Sequence, residues 1–288
     1  MLLKSVEYVR PGSVDEALHL LRSNAGAAPL AGGQSLSNIL KHRVASVDVL
    51  VDISSLDELR EIQRRPDGSI EVGACVTYDE LDRSLGVRAG HEIIARVASH
   101  IEDSQIRNRG TIGGNCCLSD PTNNLPPLLI ALDATMHVRS AGGSRRVPVE
   151  EFFKGYFLTA LEPGELLTSV EIPALPAGAR AGYASLNVAA DSKAIVRSAA
   201  RVKVNEVIEE ARVVLARVAP VPIRHRGMEE ALVGAAPTAE SVRAAADTIG
   251  DDLEPVADSH GSSEYRRQMA RVVARRAVLE AIGQGGGM

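Results

Sequence analysis

From Val14 to Arg22 the apolar positions Val14, Ala17, Leu18 and Leu21 fall at helical spacing, so one face of this segment is built for burial. The run from Ala27 to Ala31 is short and apolar and stops at Gly32-Gly33, which predicts a buried strand. Helical spacing resumes at Leu36, Ile39 and Leu40, and Val47 to Ile53 is a Val-rich strand. A second unit opens near Leu56. Alternation from Ser69 to Val76 predicts a strand with Asp67-Gly68 as its turn. Thr77 to Leu85 and Glu92 to Ile101 predict helices, the first with Thr77 and Glu80 spaced for a capping box. Arg107 to Asn115 reads as a glycine-bearing loop. Leu125 to Leu132 predicts a helix with Pro126-Pro127 in its first turn. Met136 to Arg139 and Arg145 to Val149 predict a hairpin across Ala141-Gly142-Gly143, and Leu166 to Ile172 a further strand.

Pro173 to Gly182 is rich in Pro, Gly and Ala and is the best candidate boundary between domains. Beyond it come strands at Tyr183–Val188, Ile195–Val204 and Val207–Val218, then helices at Arg226–Val233, Ala239–Ile249 and Glu264–Ile282. Strands first and helices second is an α+β signature. No internal repeat is evident, and Gly285-Gly286-Gly287 reads as a disordered tail.

Composition narrows the function classes. A chain of 288 residues suffices for two modest domains, and 45% hydrophobic with 24% charged residues is ordinary for a soluble protein. A net charge of -5 argues against a broad nucleic-acid face. Arg64-Arg65, Arg145-Arg146 and Arg275-Arg276 are interspersed with acids and read as solvated surface. With no Trp and 3% aromatics, the core must come from Val, Leu, Ile and Ala, and base-stacking platforms are disfavoured. The opening Met1-Leu2-Leu3-Lys4 does not resemble a signal peptide, and no apolar run is long enough for a membrane span. Cys75, Cys116 and Cys117 are too few and too close for a disulfide framework or an iron–sulfur cluster, so buried packing in a reducing, cytoplasmic setting is expected. The seven histidines form no metal-binding pattern, pairs such as Glu209-Glu210, Glu229-Glu230 and Asp251-Asp252 read as solvated faces, and no nucleophile motif appears. Neither a catalytic side chain nor a metal site is therefore expected.

Two glycine loops carry the chemistry. In Leu30-Ala31-Gly32-Gly33-Gln34-Ser35-Leu36, paired glycines between a strand and a helix permit positive φ and close ligand approach. Successive N–H groups there can cradle an anion such as a pyrophosphate, although the same residues also suit a plain tight turn. The loop lacks the Gly-x-Gly-x-x-Gly dinucleotide fingerprint. The second, Ile106-Arg107-Asn108-Arg109-Gly110-Thr111-Ile112-Gly113-Gly114-Asn115, adds glycines, a hydroxyl and an amide, and alone also suits a surface loop.

Together with Tyr8-x-Arg10-Pro11, Val51-Asp52-Ile53, Val72-Gly73-Ala74, Phe152-Phe153-x-Gly155-Tyr156, Leu166 to Pro173 and the late Tyr265 helix, these loops resemble the medium, FAD-binding subunit of the molybdenum hydroxylases, of the carbon monoxide dehydrogenase type. The resemblance spans nearly the whole chain, and the second loop is its most specific part. It implies an α+β fold: a FAD-binding domain of the PCMH type at 1–175, made of α/β subdomains at about 1–55 and 56–175, then a C-terminal domain at 180–284 with a three-stranded antiparallel sheet and a helical bundle. It implies that FAD contacts Ala31, Gly32, Gly33, Gln34, Ser35 and Leu36 from the first loop and Thr111, Ile112, Gly113, Gly114 and Asn115 from the second. Asn124 stands where many relatives carry a cofactor-binding Asp, and Leu161 matches an apolar position that packs on the flavin, though ordinary core would also account for it. Between Ser185 and Lys193 a basic cluster common in relatives is reduced to Lys193. The implied partners are a large molybdopterin-binding subunit and a small [2Fe-2S] subunit in a dimer of heterotrimers, with electrons passing through FAD to a terminal acceptor. A free-standing FAD oxidase or reductase, and a scaffold subunit without cofactor, remain the alternatives.

Overall fold

The computed structural model describes residues 4–188, 193–250 and 253–284. The opening Met1-Leu2-Leu3, residues 189–192 of the stretch before Lys193, Asp251-Asp252 and the tail from Gly285 to Met288 lie outside the described residues.

The first layer is a parallel sheet of β1 (Glu7–Val9), β2 (Ala27–Leu30) and β3 (Val49–Asp52), in the order β1-β3-β2. The crossovers hold α1 (Val14–Ser23) and α2 (Leu36–Lys41). The hydroxyl of Ser13 caps α1 by accepting the Glu16 N–H, and Val14, Ala17, Leu18 and Leu21 are the residues α1 buries. β3 is central and buried at every position, which is why it reads as an unbroken apolar run.

The second layer is an antiparallel sheet of β4 (Ile62–Arg64), β5 (Ile70–Gly73), β6 (Thr135–Ser140), β7 (Gly143–Pro148) and β10 (Leu166–Ile172), ordered β4-β5-β10-β6-β7. Central β10 sets Val170 between Val72 and Met136. Before it comes a two-stranded hairpin, β8 (Phe153–Gly155) and β9 (Leu158–Thr159), entered through the short helix α8 (Val149–Phe152). Five helices connect β5 to β6: α3 (Tyr78–Arg83), α4 (Leu85–Ser99), α5 (Ser104–Arg107), α6 (Ile112–Leu118) and α7 (Leu125–Ala131). The Thr77–Glu80 capping box forms as expected. α4 starts seven residues earlier than the helix expected from Glu92, because it continues through a kink at His91, whose ring bonds the Pro173 carbonyl at 2.8 Å. The stretch expected as one loop from Arg107 to Asn115 is split: α6 already begins at Ile112, its weak Gly-Gly-Asn sequence held by a Thr111 cap.

The third layer is an antiparallel sheet of β11 (Ala179–Asn187), β12 (Ala194–Val204) and β13 (Ile208–Ala216), extended by the two-residue β14 (Ile223–Arg224). It is followed by α9 (Arg226–Leu232), α10 (Ala239–Ala246) and α11 (Ser263–Ala281). β11 starts inside the Pro/Gly-rich stretch expected as linker, because Gly182 lets it approach α11: a Cβ there would meet the Ala277 carbonyl oxygen at 2.1 Å. β12 is buried on both faces. Ala200 and Val202 pack in the helical core, whereas Ala199, with Tyr183 and Val214, joins the cluster around α7.

Among the described residues no helix is long and apolar enough to cross a membrane, and no group of three or more His, Cys, Asp or Glu could hold a metal ion.

Candidate functional site

The first glycine loop leaves β2 and enters α2. Gly33 has φ +72°, a conformation open to glycine at little cost. Among the described residues the backbone N–H groups of Gly32, Gly33, Gln34 and Ser35 make no hydrogen bond, so four successive donors remain available. Ser35 is the residue before α2, but its side chain makes no capping bond.

Below this loop, the Tyr8 hydroxyl donates to Asp52, Arg10 lies 3.7 Å from Asp52, and the Ser54 N–H donates to Asp52 at 2.9 Å. Burial pushes the Asp52 carboxyl up, but the Ser54 and Tyr8 hydrogen bonds and Arg10 outweigh it and hold it below its usual value. The Tyr8, Arg10 and Asp52 motif residues thus pin the end of β3 beneath the loop.

The second loop meets the first. A Cβ on Gly32 would stand 2.0 Å from the Arg109 carbonyl oxygen and 3.0 Å from the Gly110 Cα. Gly110 in turn has no room for a Cβ against the Tyr78 ring, nor Gly113 against Ala74. The second loop's glycines therefore serve packing rather than presentation of free donors. The Ile112 and Gly113 N–H groups bond the Val76 and Ala74 carbonyls at 3.0 and 2.9 Å, and the Gly114 N–H bonds the Thr111 hydroxyl at 3.0 Å. Asn115 is buried; its amide donates to the Tyr78 hydroxyl at 2.9 Å, and its carbonyl Oδ1 has no partner.

Together the loops wall a cleft of about 320 Å³, within the range of small-molecule sites. Of the residues expected from the sequence, Ala31, Gly32, Gly33, Gln34, Ser35, Leu36, Thr111, Gly113, Gly114, Asn115 and Leu161 line it. Ile112 does not: its side chain is fully buried in the core. Asn124 is not in the lining either; its backbone carbonyl accepts from the Tyr183 hydroxyl at 3.0 Å, and the neighbouring Asn123 lines the cleft instead, its side-chain amide donating to the Asn115 backbone carbonyl at 2.6 Å. Sequence reasoning also missed Cys75, Tyr78, Cys117 and Glu165 in the lining. No local pattern marks them, because contacts distant in sequence bring them there. Burial pushes the Cys75 and Cys117 thiols up to about 12, so both stay protonated and inert, and burial likewise raises Tyr78. Glu165 is held below its ordinary value, chiefly by Arg145, which bonds both its oxygens at 2.8 and 2.6 Å. Lys193, the one cation left of the expected cluster, is spent on Asp120 at 2.9 Å.

The arrangement suits a diphosphate-linked ligand: free N–H donors on one wall, an unpartnered buried acceptor on another, and an apolar lining between them. Residues 4–175 match the family described as FAD binding domain in molybdopterin dehydrogenase, and residues 181–281 match the CO dehydrogenase flavoprotein C-terminal domain. The chain is 36% identical to the glyceraldehyde dehydrogenase medium chain of Sulfolobus acidocaldarius, over 95% of this chain and 97% of that one. It is 35% identical to the carbon monoxide dehydrogenase medium chain of Hydrogenophaga pseudoflava, over 98% of each. Among solved structures, carbon monoxide dehydrogenase from that organism superposes with a TM-score of 0.95 at 35% identity, over 99% of this chain and 100% of the other. Quinoline 2-oxidoreductase from Pseudomonas putida 86 superposes with a TM-score of 0.94 at 31% identity, over 99% of each. The chain therefore belongs to the molybdenum hydroxylase family, as its medium, FAD-binding subunit and a component of an oxidoreductase.

Proposed function

We propose that the cleft between the two glycine loops holds FAD and that the chain passes electrons from the [2Fe-2S] clusters of a partner subunit to a terminal acceptor. The observation that carries this reading is the contact of Gly32 with the Arg109 backbone, which puts four free N–H donors and the unpartnered Asn115 oxygen around one cavity. Gly32 to Ser35 present hydrogen bonds to the diphosphate, with Ala31 and Leu36 at the ends of that cradle. Thr111, Gly113, Gly114 and Asn115 form the opposite wall, with Asn123 beside them in place of Asn124, and Leu161 supplies an apolar surface that excludes water. When bound, FAD supplies one- and two-electron redox chemistry. The chain contributes position and electrostatics; its carboxylate in the cleft, Glu165, is neutralised by Arg145 and offers no base.

In this reading residues 1–175 are the PCMH-type FAD-binding domain, with subdomains at about 1–55 and 56–175, and 180–284 the C-terminal domain. A large molybdopterin-binding subunit and a small [2Fe-2S] subunit complete a dimer of heterotrimers in the cytoplasm. Relatives of similar identity are named for glyceraldehyde, carbon monoxide and nicotine, which supports a substrate pocket on another subunit. Reconstitution of the full chain tests the proposal: after gel filtration the protein should retain flavin absorbance near about 450 nm. A colourless protein would end the reading. Co-expression with the neighbouring reading frames should yield a particle with the mass of two heterotrimers.

A further inference from the structure

β12 carries Arg197 and Arg201 four residues apart, on the strand face shared with Ala199. Arg201 is paired: with Arg212 of β13 it binds the Asp133 carboxylate, at 2.9 and 2.8 Å. Arg197 is not. It is 3% exposed, and among the described residues it forms no ion pair with any carboxylate. One terminal N–H donates to the backbone carbonyl of Thr122, and its Nε has no partner. A guanidinium stays ionised, and a buried charge is ordinarily paired. An unpaired one held this deeply points to a missing anion.

The place of that charge is specific. Thr122 belongs to the loop between α6 and α7, and the next residue, Asn123, lines the cleft. Three side chains from the C-terminal sheet region hold this loop from behind. Lys193 binds Asp120, which also accepts the Thr122 N–H and hydroxyl at 2.8 and 2.7 Å; Tyr183 donates to Asn124; Arg197 donates to Thr122. The Lys193 charge is cancelled by Asp120 and the Tyr183 hydroxyl carries none. Among the described residues that hold the loop, only Arg197 brings an uncancelled charge to it.

We infer that Arg197 is a positioning residue for the cofactor: it holds the loop of Thr122 and Asn123 against the cleft and serves as the counter-charge for an anionic occupant. This rests on the reading that FAD fills the cleft. The physical consequence is a trade of stability for binding, since in the cofactor-free protein the charge is a burden. The test uses the full chain and reads two quantities: thermal stability without cofactor, and FAD affinity by quenching of flavin fluorescence. Arg197→Met and Arg197→Gln remove the charge, and the Gln amide keeps a donor for Thr122. Both should melt at the same or a higher temperature without FAD, yet bind FAD at least about tenfold more weakly. Arg197→Lys should restore affinity to within about threefold. Neutral variants that melt lower or fail to fold would reduce Arg197 to a structural pin and overturn the inference, as would unchanged affinity in either of them. A wild-type chain that takes up no FAD would bring down the cofactor reading itself, whereas variants equal to a FAD-binding wild type sink this inference alone.

Discussion

Substituting Gly32 by Ala is the sharpest perturbation of the cleft. The added Cβ would lie 2.0 Å from the Arg109 carbonyl oxygen and 2.7 Å from its carbon, both backbone atoms with no side chain to swing away. A carbon and an oxygen settle no closer than about 3.3 Å, so the two loops must part by roughly 1.3 Å. Overpacking of this kind costs about 1–3 kcal/mol. If the cofactor bridges both loops, that separation is felt on binding, and each 1.4 kcal/mol weakens affinity about tenfold, so the FAD dissociation constant should rise roughly 5- to 150-fold. Fluorescence titration of the cofactor-free chain measures it, with circular dichroism to confirm folding. Gly86→Ala is the matched control: in α4 its Cβ would meet only the Ser84 hydroxyl at 3.6 Å, and it should add up to about 1 kcal/mol of stability without touching affinity. A Gly32→Ala protein that melts lower yet binds FAD as the wild type does would show that the ligand does not span the two loops.

Tyr78→Phe takes away the acceptor of the Asn115 amide and should cost about 1–3 kcal/mol in urea unfolding while also weakening FAD; a neutral result would mean water replaces the hydroxyl. Burial disfavours the charged form of Asp258, but the His260 N–H, Arg217 and Arg266 outweigh it and hold the carboxyl well below its usual value. Its stabilisation is therefore fully present above about pH 4 and is lost as pH falls through the depressed folded value. Asp258→Asn should lower the melting temperature at pH 7 and close the gap with wild type under acid; a constant gap at every pH would contradict this. The raised Cys75 and Cys117 thiols should react slowly with a disulfide reagent at pH 8, whereas denaturant should release all three cysteines at once. Rapid native labelling of Cys75 would refute its burial.

The regular parts of the fold were legible because their periodicity has a direct cause. The spacing of Val14, Ala17, Leu18 and Leu21 is the buried stripe of α1, and the strand expected at Leu166–Ile172 is β10 with the same ends. Elements without a buried face were not legible: β1 and β4 lie mostly exposed at sheet edges, and β14 is two residues long. The second glycine loop misled in a different way. Gly113 and Gly114 have poor helix propensity, so the start of α6 looks like loop, yet glycine is required at 113 because Ala74 leaves no space for a side chain. Of the site, the residue types were visible and so was the resemblance, but not the contact of Gly32 with Arg109, which depends on how β3 and α3 place the loops. Nor does anything near Arg197 in the sequence mark it; it sits in an apolar strand, and only its lack of an ion pair among the described residues singles it out.

α7 is apolar all round, and every one of its residues is buried. One side of it faces its own layer, while another is covered by β12 and β13, where Ala199 and Val214 join the same cluster. A cut at the Pro/Gly-rich connection would therefore not release two self-sufficient pieces; each would carry half of a shared apolar seam. Anyone exchanging the carboxy-terminal part between relatives to retune an enzyme should transplant α7 with β12 and β13, since a junction placed at the obvious linker pairs mismatched halves and invites aggregation.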